Sequence, residues 1–263
     1  MTVPLPAAPA LTFASINVEW SNHLPRVMAF IGAHSPDVVC LQELMAEDLT
    51  KLCRRLGYAH HVFAPMALLP GKSRARAYGV GILSRFPFAG TEIVHYAGNG
   101  SGSDLFDGAS IDSKVRTSRY VVAMGTIVRG RDSFTIATTH MPWTPNGSVS
   151  EHQRRACERL FALLGQRPLI LCGDCNAPRG GEIFSRLAGH WRDNIPAQYT
   201  SSLDPDLHRA GPLELMVDGI FSTADYRVDD VAMHRGVSDH CAITASARLG
   251  SRHRLAPIAA LAD

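Results

Sequence analysis

The chain has 263 residues, a length that a single α/β or sandwich domain can fill. Apolar residues make up 46% and charged residues 19%, which supplies a core and argues against wholesale disorder. The net charge of +2 neither demands nor excludes an anionic partner, so only local basic patches bear on that question.

Residues 1–12 read as a Pro/Ala tail without the cationic start and apolar centre of a secretory signal. Residues 11–18 carry a strand pattern. Leu24, Val27, Met28 and Ile31 then fall on one helical face. A strand at 37–42 is followed by a second helical stripe, Leu49, Leu52, Cys53 and Leu56, which Gly57 stops. Strands follow at 58–63 and 78–84, with Lys72, Arg74 and Arg76 forming a solvated basic loop between them. The polar stretch 97–118 reads as irregular, and strands resume at 120–128 and 134–140. Ser148-Val-Ser-Glu151 has the spacing of a capping box, opening a helix with the stripe Ala156, Leu160, Leu163 and Leu164 that ends at Gly165. A strand at 168–173 precedes a short helix marked by Ile183, Phe184 and Leu187. The turn-rich stretch 197–215 leads to strands at 216–221 and 241–247, and 250–263 reads as a second tail. The expectation is one domain over 13–249, an α/β arrangement of sheets packed on sheets with helices outside.

No apolar run approaches the roughly 18 residues of a membrane span. A cytoplasmic protein with no membrane association and no protein partner is therefore expected. The six cysteines, Cys40, Cys53, Cys157, Cys172, Cys175 and Cys241, show no disulfide framework and read as buried thiols. Cys172-Gly-Asp-Cys175 is formally a CxxC, but neither a helix N-terminus nor a second cysteine pair accompanies it.

The strand ends carry the chemistry. Apolar runs lead directly into Asn17-Val-Glu19, Gln42-Glu43, His140, Asp174-Cys-Asn176, Asp218 and Ser238-Asp-His240. A single such residue is usually a turn or cap. Several at one sheet edge would place carboxylates together, and clustered carboxylates repel unless a cation lies between them. A hard divalent ion with oxygen ligands, Mg²⁺ first, answers that need. Histidines beside it can move protons or stabilise developing charge.

In this order the motifs resemble those of the endonuclease/exonuclease/phosphatase superfamily, over about residues 13–248. The superfamily includes deoxyribonucleases, DNA phosphodiesterases, deadenylases, inositol-polyphosphate phosphatases and sphingomyelinases. The resemblance implies a four-layer α/β/β/α sandwich, two packed mixed sheets flanked by helices, and Mg²⁺-dependent hydrolysis of phosphate esters, with Mn²⁺ as a substitute. It implies Glu43 and Asp239 as metal ligands, with Asn17 in support and Glu19 tied to a second metal mode. Asp174 then corresponds to the residue that orients the attacking water, and Asn176 to its partner on the phosphate. His240 matches the histidine on the scissile phosphate, with Asp218 orienting it, and His140 matches a position aimed at a phosphate oxygen. Arg119 lies where relatives often carry a basic residue near the phosphate. Trp143 is placed to stack on a base and Asn146 to hydrogen-bond phosphate.

Three departures stand out: Glu19 where Asp is common, Cys175 inside the Asp-x-Asn motif, and Gly219 where Tyr is common. The expected activity is a phosphodiesterase on nucleic acid. A phosphomonoesterase or lipid- or inositol-phosphate hydrolase of the same fold is the first alternative, and a silent nucleic-acid-binding module the second. With the modest net charge, single-stranded or end-exposed nucleic acid is expected ahead of long duplex, held by Lys114, Arg116 and Arg119.

Overall fold

The computed structural model describes residues 10–130 and 132–250, so most of both expected tails lies outside the described residues. Two six-stranded sheets form the centre. The first contains β1 (Leu11–Asn17), β2 (Val38–Met45), β3 (His60–Leu69), β4 (Arg76–Ser84), β11 (Tyr226–His234) and β12 (Ala242–Leu249), in the order β11-β12-β1-β2-β4-β3. The second contains β5 (Phe88–Ala97), β6 (Tyr120–Arg129), β7 (Asp132–His140), β8 (Ile170–Asp174), β9 (Arg192–Asp193) and β10 (Asp218–Ser222), in the order β5-β6-β7-β8-β10-β9. Each sheet is mixed: β1–β2 and β7–β8 are parallel and the other pairs antiparallel.

Side-chain alternation assembles the layers. In β2, Val38 and Cys40 face the other sheet, whereas Val39 and Leu41 face α1 (Leu24–His34) and α2 (Ala46–Leu56). The outer side of the second sheet is covered by α4 (Glu151–Leu164) and α5 (Glu182–His190), through Ala156, Leu160, Leu164, Phe184 and Leu187. Strands buried on both faces read as continuous apolar runs, which is why the central strands were the clearest in the sequence. The α/β/β/α sandwich is the architecture expected.

The differences from expectation have local causes. β5 is an edge strand with most residues exposed, so it lacks an apolar run. In β11 a bulge at Asp230–Val231 breaks the alternation, with Asp230 at φ 55°. β3 continues past 63 because Pro65 sits at a bulge on an edge strand, where a missing amide is tolerated. The 97–118 stretch contains α3 (Ile111–Thr117), opened by a capping box between Ser110 and Ser113. The capping box of α4 is Ser150 with Gln153, not the Ser148/Glu151 pair. Ser148 instead closes the preceding turn by donating to the Pro145 carbonyl. Leu163 is 41% exposed and lies off the packed face of α4.

Candidate active site

Six chain segments deliver polar side chains to one end of the sandwich. β1 and β2 run parallel and end together, with Asn17 opposite Gln42. β7 and β8 likewise end with His140 opposite Asp174. Asp218 begins β10 across from Asp174 on its other side. Ser238–His240 leads into β12.

Glu43 reaches this end through a bulge. Leu41 pairs with Gly81 and Leu44 with Gly79, so Gln42 and Glu43 share the space opposite Val80. Glu43 adopts φ 52°, and the bulge turns its side chain out of regular alternation toward the strand ends. In the other sheet Gly173 has φ 147°, and a Cβ there would lie 2.0 Å from the Thr139 carbonyl oxygen. Only glycine lets β8 approach β7 this closely just before Asp174.

Asn17 links the sheets. Its Nδ2 donates to Asp174 Oδ2 at 3.1 Å and lies 3.4 Å from Glu43 Oε1. Its Oδ1 accepts from the Glu19 amide. Asp174 is 2% exposed, and its other oxygen accepts from the Asn176 amide at 2.7 Å. Asn176, at φ 48°, donates from Nδ2 to the Met141 carbonyl. His140 Nε2 lies 3.5 Å from Asp174 Oδ2 and 3.8 Å from Glu43 Oε1, while its Nδ1 is buried without a hydrogen-bond partner. His240 Nδ1 and Asp218 Oδ2 are 2.7 Å apart, and His240 Nε2 is 3.7 Å from Asp174 Oδ2.

The electrostatics follow from this crowding. Burial raises the Glu43 carboxyl above its ordinary range, and Asp239 and Asp174 add to the rise while His140 opposes it. Burial also works against a charged His240, but the carboxylates of Asp218, Asp174 and Asp239 outweigh it and hold the imidazole well above its usual value. The carboxylates thus favour the imidazolium form of His240, with Asp218 on Nδ1 and Nε2 directed to the site. The thiol of Cys175 is pushed far up by burial and by Asp174 and Asp218, which disfavours the reactive thiolate.

Two groups of possible ligand atoms occur among the described residues. The donors of Glu19, His23 and Asp239 lie within 4.8 Å of one another, as do those of Asp174, Asp218 and His240. In the second group a proton on His240 offsets one of the two carboxylate charges. The first, with Glu43 close enough to feel Asp239, carries an excess of carboxylate that a divalent cation would offset, so the residues fit such an ion.

Among the described residues, three expected substrate contacts make no hydrogen bond or ion pair with this cluster. Arg119 is half-buried, with its amide on the Met66 carbonyl and no side-chain ion pair among the described residues. Trp143 is 44% exposed, with Lys114 Nζ 3.5 Å from its ring centroid. Asn146 is exposed in the turn Pro145–Gly147.

Sequence reasoning missed His23, Ser202 and Asp204. Ser202 Oγ accepts from the amides of Val217 and Asp218, and its carbonyl accepts from the Cys241 amide. The Asp204 amide donates to the Asp239 carbonyl, while its carboxylate accepts from Asp206, Leu207 and Gly236. The irregular 197–215 stretch thus holds Asp218 and Asp239 in place. The Asp204-Pro-Asp206 turn signature was its only trace in the sequence.

A family model described as "Endonuclease/Exonuclease/phosphatase family" matches residues 14–240. No curated protein matches the chain. Solved structures share the fold. An endonuclease/exonuclease/phosphatase from Beutenbergia cavernae is similar at 20% identity, covering 92% of this chain and 72% of its own, with a TM-score of 0.70. The human Nocturnin catalytic domain with bound sulfate is similar at 17%, covering 92% and 95%, with a TM-score of 0.64. D. rerio TDP2 complexed with a single strand DNA product is similar at 16%, covering 91% and 99%, with a TM-score of 0.63.

Proposed function

The chain belongs to the endonuclease/exonuclease/phosphatase family, and on that premise we propose that it is a divalent-metal-dependent phosphodiesterase acting on nucleic acid. Members of the family generally hydrolyse phosphate esters. The observation that carries the reading is the hydrogen-bonded Asp218–His240 pair facing Asp174, with Asn17 joining Asp174 to Glu43.

Glu43, Asp239, Asn17 and Glu19 would hold Mg²⁺, or Mn²⁺ in its place. The bound ion supplies Lewis-acid polarisation of a phosphoryl oxygen. Asp174, fixed by Asn17 and the Asn176 amide, orients a water for in-line attack. His240, protonated and aligned by Asp218, donates a hydrogen bond to the phosphate as charge accumulates on it. His140 and Asn176 complete the set of oriented donors, each typically worth about 2.7–4 kcal/mol at such a site. Asp174, Asn176 and His240 are held by hydrogen bonds before substrate arrives, which limits their reorganisation during the reaction.

Nucleic acid is favoured as substrate by the rim. Lys114 on α3 and Trp143 beyond β7 present a cation on an aromatic face, and Arg116 and Arg119 flank Lys114 in sequence. Such a pairing suits a base and its phosphate in a single strand. Among proteins of this fold, the TDP2 structure holds single-stranded DNA and the Nocturnin structure a sulfate. No helix among the described residues is long and apolar enough to cross a membrane.

The deciding experiment is a substrate panel with and without Mg²⁺: single- and double-stranded DNA, RNA, abasic DNA, tyrosyl-linked DNA, inositol polyphosphates and sphingomyelin. Turnover of single-stranded or end-exposed nucleic acid is expected. Hydrolysis of inositol phosphates or sphingomyelin with no nucleic acid cleaved would overturn the substrate assignment.

A further inference from the structure

His23 stands beside the carboxylates, and no sequence motif pointed to it. We propose that His23 is a metal ligand which, together with Glu19 and Asp239, tunes the centre toward divalent transition ions such as Mn²⁺ in preference to Mg²⁺. The proposal rests on the metal-dependent reading above but concerns binding, not turnover.

The geometry is that of neighbouring ligands. His23 Nε2 and Glu19 Oε2 are 3.0 Å apart, and one donor atom from each of Glu19, His23 and Asp239 lies within 4.8 Å of the other two. Donors about 2.1 Å from an octahedral ion sit about 3.0 Å from each other when adjacent, by the right-angle geometry of that polyhedron. The chain is folded to produce this meeting. After β1 it turns back through Glu19 and Trp20, both at positive φ (42° and 59°). The Glu19 amide is held by Asn17 Oδ1, and the Trp20 amide by the Glu43 carbonyl. The turn that carries Glu19 is therefore tied to the strand ends that carry Asn17 and Glu43.

His23 occupies the N-cap position of α1 but makes no side-chain cap. Its imidazole faces Glu19 and is only 16% exposed. The side chain contributes nothing to the start of the helix. A plain Glu19–His23 ion pair accounts for the 3.0 Å contact but not for the convergence of Asp239 on the same two side chains.

The chemistry gives the preference its direction. Mg²⁺ takes oxygen ligands and keeps its waters, whereas imidazole nitrogen suits the transition ions, whose affinities for such sites rise from Mn²⁺ toward Cu²⁺. One nitrogen among several carboxylate oxygens strengthens binding of the latter while giving Mg²⁺ little.

The test uses the full chain stripped of metal and titrated separately with MnCl₂ and MgCl₂ by calorimetry, with electron spin echo spectra of bound Mn²⁺. The variant is His23→Asn, because Asn is itself a favoured N-cap residue and keeps the start of α1. Wild type should show nitrogen modulation on Mn²⁺, a readout that needs no variant, and the modulation should vanish in His23→Asn. Mn²⁺ affinity should fall at least about tenfold in the variant, the lower end of what even an outer-shell partner contributes. Mg²⁺ affinity should change much less. Absent modulation in wild type, modulation that survives in the variant, or equal weakening of both ions would each overturn the assignment. Failure of the nuclease reading looks different: no phosphate ester is turned over, while Mn²⁺ binding and its nitrogen signal stay intact.

Discussion

Asp218→Asn separates the orientation of His240 from its presence. The substitution is isosteric, and the Asp218 amide keeps its hydrogen bond to Ser202 Oγ, so the start of β10 is undisturbed. What is lost is a charge-assisted hydrogen bond of 2.7 Å between two buried side chains. Bonds of that kind contribute about 1.5–3 kcal/mol, which corresponds to a fall in kcat of roughly 10- to 160-fold. The loss should stay below that of His240→Ala, because Asp174 remains 3.7 Å from Nε2 and still favours the imidazolium. The pH dependence supplies an independent readout. In the wild type, burial alone would discharge His240, and Asp218 leads the carboxylates that prevent it. Without Asp218 the imidazole loses its proton at lower pH, so the alkaline limb of the kcat profile should move down. The assay is steady-state cleavage of an oligonucleotide across neutral and alkaline pH, with histidine NMR titration beside it. An unchanged alkaline limb, or a kcat equal to wild type, would refute the role given to this pair.

Chelation should abolish turnover, and Mg²⁺ or Mn²⁺ should restore it; full activity in chelator would sink the mechanism. Glu43→Gln should cut turnover by orders of magnitude yet raise the melting temperature of the metal-free protein. Its carboxyl is raised by burial, so the charge opposes folding above the folded-state pKa, and relief of about 0.5–2 kcal/mol is expected on a thermal melt near neutral pH that should shrink as pH falls through that value. Neutralising Lys114, Arg116 and Arg119 together should raise KM for oligonucleotides more than it lowers kcat, since such contacts serve ground and transition states alike. Ser202→Ala removes the acceptor of two buried amides, a cost of about 1–3 kcal/mol each, and should lower both the melting temperature and kcat; a variant as stable and active as wild type would show that Ser202 positions nothing.

The central strands were legible because both of their faces are buried, so Val38–Leu41 and Ile170–Cys172 announce themselves as apolar runs. β5 and β11 were not, since an exposed edge and a bulge each erase the pattern. The strand-end residues are legible for a related reason: Glu43, Asp174 and Asp218 each lie within two residues of the end of an apolar run. His23 escaped because it lies in a turn whose positive-φ residues, Glu19 and Trp20, are neither glycine nor asparagine. Ser202 escaped because it acts through its hydroxyl on backbone amides fifteen and sixteen residues away, a long-range contact with no local signature.

The gap between the sheets needs its own fastening. Glu43 belongs to one sheet and Asp174 to the other, so any slide of one sheet over the other would separate the proposed metal ligand from the water-orienting carboxylate. Apolar packing resists separation of the sheets but is tolerant of small slides. Directly beneath the site, Gln42 Nε2 donates to Thr138 Oγ1 at 2.8 Å, and both residues are fully buried. Gln42 immediately precedes Glu43, and Thr138 lies two residues before His140. A buried hydrogen bond has one good geometry, so this contact sets the offset between β2 and β7 at the level where the proposed chemistry requires it. Asn17 repeats the device one layer higher, donating across the gap to Asp174. The two bonds make the sheet-to-sheet register, and not only the individual side chains, part of the active-site geometry.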